Sequence, residues 1–242
     1  IITYIYPFSK GPRLFEAGTD FKYGTGLGFV GMMIEKVTGQ SLEEYCKENI
    51  FNPLDMKNTF FTIPREKRDK IVPLGIRQGK KSKVIRKMPF KGQPYLRFWR
   101  KSYYGGTEIF SSPNDYANFV KCLMNKGSYN NKQIISESSF NEMIKPGKFD
   151  QMFERDDNYN FIMGENGRLK NKMKRYGLGL TISFDPNDSR PVGSIAHGGA
   201  ACTFFSFNLE KQKGALIFSN FYPYNDKEWH EMVVAFENEI YA

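Results

Sequence analysis

Between Tyr176 and Asn220 the sequence returns again and again to short β-rich runs: Tyr176 to Phe184, Ser194 to His197, Ala201 to Leu209 and Ala215 to Asn220. The Glu210 to Gly214 connection is short enough for an antiparallel hairpin. Adjacent runs of this kind imply an antiparallel sheet. From Asp226 onward Trp229, Met232, Val233, Phe236 and Ile240 fall on one helical face, which predicts a helix covering that sheet. The stretch from Lys148 to Lys174 is polar and charged and reads as a long loop.

Upstream the period is helical instead. Leu27, Val30, Met33, Ile34 and Val37 recur at helical spacing, Gly39 supplies a left-handed C-terminal position, and the spacing predicts a largely buried helix. Ser41-Leu42-Glu43-Glu44 is a capping box, and Leu42, Tyr45, Cys46 and Ile50 continue an apolar stripe until Asn52-Pro53 ends it. Ser112-Pro113-Asn114-Asp115 opens another helix with Tyr116, Phe119, Val120 and Leu123 inside and Lys126-Gly127 at its end. Ser136 caps a shorter one carrying Phe140, Met143 and Ile144. No repeat or linker divides the 242 residues, so the expected class is α+β: an antiparallel sheet covered by helices, with an inserted helical region.

Composition supports a folded chain, since 40% apolar and 16% aromatic residues can fill a sizeable core. No stretch approaches the roughly 18 uninterrupted apolar residues of a membrane span, and the chain reads as soluble. The net charge of +9 comes from one place, Arg65 to Lys101, where basic residues crowd against only Glu66 and Asp69. Pro73, Gly75, Gly79, Pro89, Gly92 and Pro94 break any long helix there, which predicts an irregular insertion or a short β excursion. Phe90, Tyr95, Phe98 and Trp99 interleave with the charges. The segment reads either as a solvated loop packed by its aromatics or as a surface for an acidic partner, an anionic membrane or RNA. Cys46, Cys122 and Cys202 lack Cys-x-x-Cys spacing and read as buried free thiols, and His197 and His230 form no metal-ligand cluster. No metal or other cofactor is expected.

Three collinear blocks carry a resemblance. The first runs Ala17-Gly18-Thr19-Asp20-Phe21-Lys22-Tyr23-Gly24-Thr25, then Met33-Ile34-Glu35-Lys36-Val37-Thr38-Gly39, then Pro53-Leu54-Asp55-Met56-Lys57-Asn58-Thr59. The second is Gly105-Gly106-Thr107 through Ser112-Pro113-Asn114-Asp115-Tyr116, and the third is His197-Gly198-Gly199-Ala200. In this order they resemble the serine β-lactamase and penicillin-binding-protein superfamily, particularly its class C-like esterases and D-aminopeptidases.

The resemblance implies an active-site Ser that attacks a carbonyl, forms an acyl-enzyme and is released by water. It gives Tyr23 the part of general base: a phenol is a poor base by itself, but beside a lysine ammonium its phenolate is favoured. By pattern alone Tyr23 would be a packing residue after a turn. Thr25 stands where the family usually has Asn, so a single hydroxyl replaces an amide that positions substrate. His197-Gly198-Gly199 corresponds to the Lys-Thr-Gly strand lining the site, and the Ala200 N–H to an oxyanion-hole donor; by pattern alone His197 would be a core histidine before a bulge.

The family's Ser-x-x-Lys motif is not found: no Ser in the 242 residues has Lys three positions later. The expectation is an incomplete domain lacking the N-terminal part, with Ser and Lys supplied by the same precursor or a neighbouring protein. The alternative is an inactive scaffold that binds a larger assembly through its basic segment. A small acyl, ester or peptide substrate is implied if the site is active, and β-lactams, short-chain esters and D-amino-acid peptides all share the mechanism.

Overall fold

The computed structural model describes residues 15–21, 23–24, 26–77, 103, 105–107, 109–147, 174–224 and 226–242, with backbone alone at 86–88, 154–155 and 161–162. The chain forms two compact units, one from residues 1–71 and 91–119, the other from 72–90 and 120–242.

In the first unit Gly18, at φ 80°, occupies the third position of a turn closed by the Thr19 N–H on the Glu16 carbonyl at 3.1 Å. That position requires positive φ, which glycine adopts without strain. Helix α1 (Gly26–Thr38) follows and ends as expected at Gly39, φ 73°. Its burial is the reverse of the expectation. Gly28 and Gly31 are buried, whereas Leu27, Val30, Met33 and Val37 are exposed, Val37 at 86%. The cause is a close backbone approach: a Cβ on Gly31 would sit 3.1 Å from the Gly105 nitrogen, and one on Gly105 2.5 Å from the Leu27 carbonyl oxygen.

Helix α2 (Leu42–Cys46) starts with the predicted box, Ser41 Oγ accepting from the Glu44 N–H at 3.2 Å and Glu44 accepting from the Ser41 N–H at 2.9 Å. It continues into a wider turn over Lys47–Phe51, and a 3₁₀ helix follows at Arg65–Lys70. Helix α3 (Pro113–Met124) begins beyond Ser112, whose Oγ accepts from the Asp115 N–H at 3.2 Å. The buried Asp115 carboxylate also accepts from the Asn58 N–H at 2.6 Å and Thr59 Oγ1 at 3.0 Å, stitching the helix start to the Pro-Leu-Asp-Met stretch.

The second unit begins with β1 (Leu74–Ile76) and β2 (Arg86–Met88), an antiparallel pair inside the basic segment. Both strands fall within the basic segment, and Phe90, Tyr95, Phe98 and Trp99 lie outside the described residues. Strands β3 (Ser128–Tyr129) and β4 (Lys132–Gln133) form a small hairpin, and helix α4 (Glu137–Met143) is capped by Ser136. Strands β5 (Glu154–Arg155) and β6 (Phe161–Ile162) pair within what reads as a loop.

The principal sheet has the order β11-β10-β9-β8-β7, from β7 (Lys174–Tyr176), β8 (Thr181–Ser183), β9 (Ile195–Gly199), β10 (Thr203–Asn208) and β11 (Lys213–Phe218), antiparallel throughout. The expected single strand from Tyr176 to Phe184 is two, because Gly179 at φ 81° turns the chain back. Strand β12 (Phe221–Tyr222) pairs parallel with β1.

Helix α5 (Lys227–Tyr241) is N-capped by Asp226 and covers the sheet with Trp229, Val233, Glu237 and Tyr241. Met232 and Phe236, expected on that face, are 45% and 38% exposed. The buried stripe follows the i, i+4 row from Trp229, and they flank it. Fully buried Glu237 accepts from Ser206 Oγ and Ser189 Oγ at 2.6 Å each, with the Arg190 guanidinium at 3.5 Å.

Candidate functional site

Tyr23 belongs to the first unit, standing between the Gly18 turn and α1 with 49% of its surface exposed. The turn upstream is locally tied, since the Asp20 carboxylate accepts from the Phe21 N–H at 2.8 Å and Thr19 Oγ1 donates to the Glu16 carbonyl at 2.7 Å. Thr25 lies outside the described residues.

His197, Gly198, Gly199 and Ala200 belong to the second unit, at the end of β9 and in the turn after it. Strand β10 pairs with β9 along its whole length, from Ile195 to Gly199. Strand β8 pairs only with Ile195 and Ala196, because the Gly177–Leu180 turn carries the chain away. Among the described residues, His197 to Gly199 thus present one open strand edge. Such an edge offers backbone donors and acceptors to a ligand lying along it.

The turn beyond the edge is a three-residue loop, Ala200-Ala201-Cys202, closed by the Cys202 N–H on the Gly199 carbonyl at 3.0 Å with Cys202 at φ 58°. Ala200 is exposed, and its N–H donates to no carbonyl among the described residues. A backbone N–H in that state is what a developing oxyanion requires.

Both strand glycines are forced by their neighbours. A Cβ on Gly199 would land on Thr203 Oγ1, and one on Gly198 would lie 2.6 Å from the Tyr224 hydroxyl oxygen. The Tyr224 ring packs against Trp229 and His230, with centroids at 5.8 and 5.5 Å, and the Tyr224 carbonyl is 2.8 Å from His230 Nε2. Tyr224 therefore lies over the Gly198 side of β9, the face that carries Phe204 and Trp229, whereas the neighbouring His197 is directed to the other face. The sequence gives little sign of it beyond the closely spaced aromatics at 224, 229 and 230. His197 itself is held below its ordinary imidazole value by burial, partly offset by a hydrogen bond with the Gly198 backbone. It is neutral at pH 7, and does not replace the ammonium of a Lys-Thr-Gly strand.

The chain resembles known proteins on several counts. It is 25% identical over 235 residues to monacolin J acid methylbutanoyltransferase of Aspergillus terreus, covering 96% of this chain and 56% of the relative. It is 26% identical over 165 residues to lovastatin esterase of Penicillium rubens, covering 63% of this chain and 37% of that protein. The fold matches the solved structure of the LovD6 mutant of simvastatin synthase from Aspergillus terreus at a TM-score of 0.73 and 20% identity, over 95% of this chain and 57% of the other. The chain thus spans little more than half the length of the transferase and the synthase. The Beta-lactamase family model matches residues 8–233, nearly the whole sequence. The chain belongs to the beta-lactamase family.

Proposed function

We propose that this chain contributes the general base and the oxyanion-binding strand edge of a serine acyl-transfer site whose nucleophilic Ser and its Lys lie outside these 242 residues. The observation that carries the reading is the open edge at His197–Gly199 ending in the exposed Ala200 N–H. In this reading Tyr23 is the base and the His197–Gly199 edge is where the acyl group lies. The Tyr23 phenolate takes the Ser proton as Ser Oγ bonds to the carbonyl carbon, and the tetrahedral oxyanion receives the Ala200 N–H. Collapse of that intermediate breaks the ester bond, and the leaving oxygen regains the proton from Tyr23. Because His197 is neutral, stabilising the phenolate falls to the Lys.

The names of the relatives, a methylbutanoyltransferase and an esterase, support a small acyl ester as substrate. Water or an alcohol completes the cycle, giving hydrolysis or transfer. A second reading, a scaffold without activity, is favoured by Thr25 in place of Asn and by the basic segment Arg65 to Lys101. The experiment is labelling with a fluorophosphonate, read by intact mass. The full gene product takes up one equivalent on a Ser outside residues 1–242, and Tyr23→Phe slows the reaction. No adduct on the gene product supports the scaffold, and a Tyr23-dependent adduct on a Ser within this chain shows that the nucleophile was misassigned.

A further inference from the structure

The Ala200-Ala201-Cys202 turn is tied to one short segment, residues 219–223. The Phe221 N–H donates to the Ala201 carbonyl at 3.2 Å and the Ser219 N–H to the Cys202 carbonyl at 3.3 Å, with Ser219 Oγ on the same oxygen. Cys202 Sγ lies 3.5 Å from the Pro223 carbonyl oxygen. The same segment contains β12, which runs parallel to β1: the Gly75 N–H donates to the Asn220 carbonyl and the Arg77 N–H to the Tyr222 carbonyl, each at 2.8 Å. Arg77, the residue after β1, grips the segment a second time with its side chain. Its guanidinium lies over the Phe221 ring, 5.5 Å from the centroid, sets Nε 3.1 Å from Asp226 Oδ2 and bonds Glu228 through Nη1. The Asp226 carboxylate is buried, and its other oxygen accepts from the Trp229 N–H at 2.8 Å to start α5. One arginine thus ties both Tyr222 and Asp226 to the end of β1 and gives that buried carboxylate its counter-charge.

We propose that Arg77 is a positioning residue for the oxyanion donor: through residues 219–223 it holds the Ala200 turn in its working orientation without touching substrate, an inference that rests on the acyl-transfer reading. A backbone N–H stabilises an oxyanion when it is fixed before the charge develops, and losing one such donor costs about 10²–10³ in kcat. The turn's own closure, the Cys202 N–H on the Gly199 carbonyl, fixes its two ends, and the Phe221 bond to Ala201 fixes its middle. Removing the guanidinium leaves the Asp226 carboxylate buried without its counter-charge. The start of α5 and residues 221–223 then shift toward water, and the Phe221 bond loosens. Formation and breakdown of the acyl-enzyme both pass through an oxyanion, so both slow together while substrate binding is unchanged.

The test is steady-state hydrolysis of p-nitrophenyl butanoate by the full gene product, with reactive sites counted by fluorophosphonate so that kcat reports folded molecules alone. Arg77→Met, which keeps an apolar stem near Phe221 and removes the charge, is expected to lower kcat about tenfold with KM within about twofold of the parent. Arg77→Lys, which returns a charge to Asp226, recovers at least about threefold of that loss. Asp226→Asn breaks the same pair from the other side while its amide still caps α5, and it loses kcat likewise. Asn208→Ala, at the end of β10 away from the turn, removes the bond to Ser194 Oγ and lowers stability, and it keeps the parent's kcat. The proposal is overturned by an Arg77→Met kcat within about twofold of the parent, by an equal loss in Asn208→Ala, by a changed KM at constant kcat, or by a lysine variant as slow as the methionine one. Where Arg77→Met does not fold, a parental kcat in Asp226→Asn overturns it. A parent that takes up no fluorophosphonate and turns over no ester sinks the acyl-transfer reading and this one with it, whereas an active parent with an unaffected Arg77→Met sinks the positioning role alone.

Discussion

Gly198→Ala adds one methyl group to the candidate site, and its cost follows from the contacts. The new Cβ would lie 2.6 Å from the Tyr224 hydroxyl oxygen, about 1 Å inside the roughly 3.5 Å optimum for such a pair. A loose tyrosine would swing away at little cost. This one is wedged by Trp229, itself 4% exposed, and by His230. Overpacking at a site that cannot relax costs about 1–3 kcal/mol. Tyr224→Phe alone removes a hydroxyl and costs about 1 kcal/mol. In the double variant the clashing atom is gone, so the two costs do not add, and the cycle gives a favourable coupling of at least about 1 kcal/mol. Urea unfolding followed by tryptophan fluorescence measures all four proteins. Additive costs, or a Gly198→Ala protein as stable as the parent, would refute the claim that Tyr224 is held against the Gly198 face of β9.

Three further outcomes follow from the same structure. His197 is held below its ordinary value of 6.5, so as pH falls the unfolded chain takes up this proton first; stability present above pH 6.5 is lost progressively below it, and His197→Gln flattens the slope of urea midpoint against pH in that range. Burial pushes the Cys46 and Cys122 thiols up to about 11, so an aromatic disulfide reagent at pH 8 finds neither in the native protein and both after denaturation; stoichiometric native reaction would show that these thiols are open. Glu237→Ala removes the acceptor of Ser189 and Ser206 and one of the two carboxylates beside the Arg190 guanidinium, which keeps Asp188 at 3.3 Å, at a cost of about 1–3 kcal/mol in urea unfolding. A change under about 1 kcal/mol would mean that water reaches this cluster.

What the sequence made legible was local. The Ser41–Glu44 box, the Ser112 and Ser136 caps and the Asp226 start of α5 each satisfy helix N–H groups within three residues, so neighbours alone specify them. The hairpin of β10 and β11 was readable for the same reason. Faces were harder, because periodicity says that a stripe is apolar and not what meets it. For α1 the decision came from Gly31 and Gly105, residues far apart in sequence whose approach no pattern reveals. For α5 two adjacent stripes were both apolar enough, and the sheet took the one through Val233 and Glu237, leaving Met232 and Phe236 outside. Gly179, read as part of a strand, was the turn that opens the β9 edge. At the site, the family resemblance led to His197, Gly198, Gly199 and Ala200, whereas Tyr224 became visible only through its contact with Gly198.

The central proposal is that Tyr23 serves as general base and the Ala200 N–H as oxyanion donor in acyl transfer. A crystal structure of the full gene product after reaction with a short-chain phosphonate ester tests it most directly, because the bound phosphorus marks the position of the acyl carbon. The account predicts the Ala200 N–H and the Tyr23 hydroxyl both at hydrogen-bonding distance, about 3 Å, from oxygens of the adduct. An adduct whose oxygens touch neither group, or a Tyr23 side chain turned away from the His197–Gly199 edge, would contradict it.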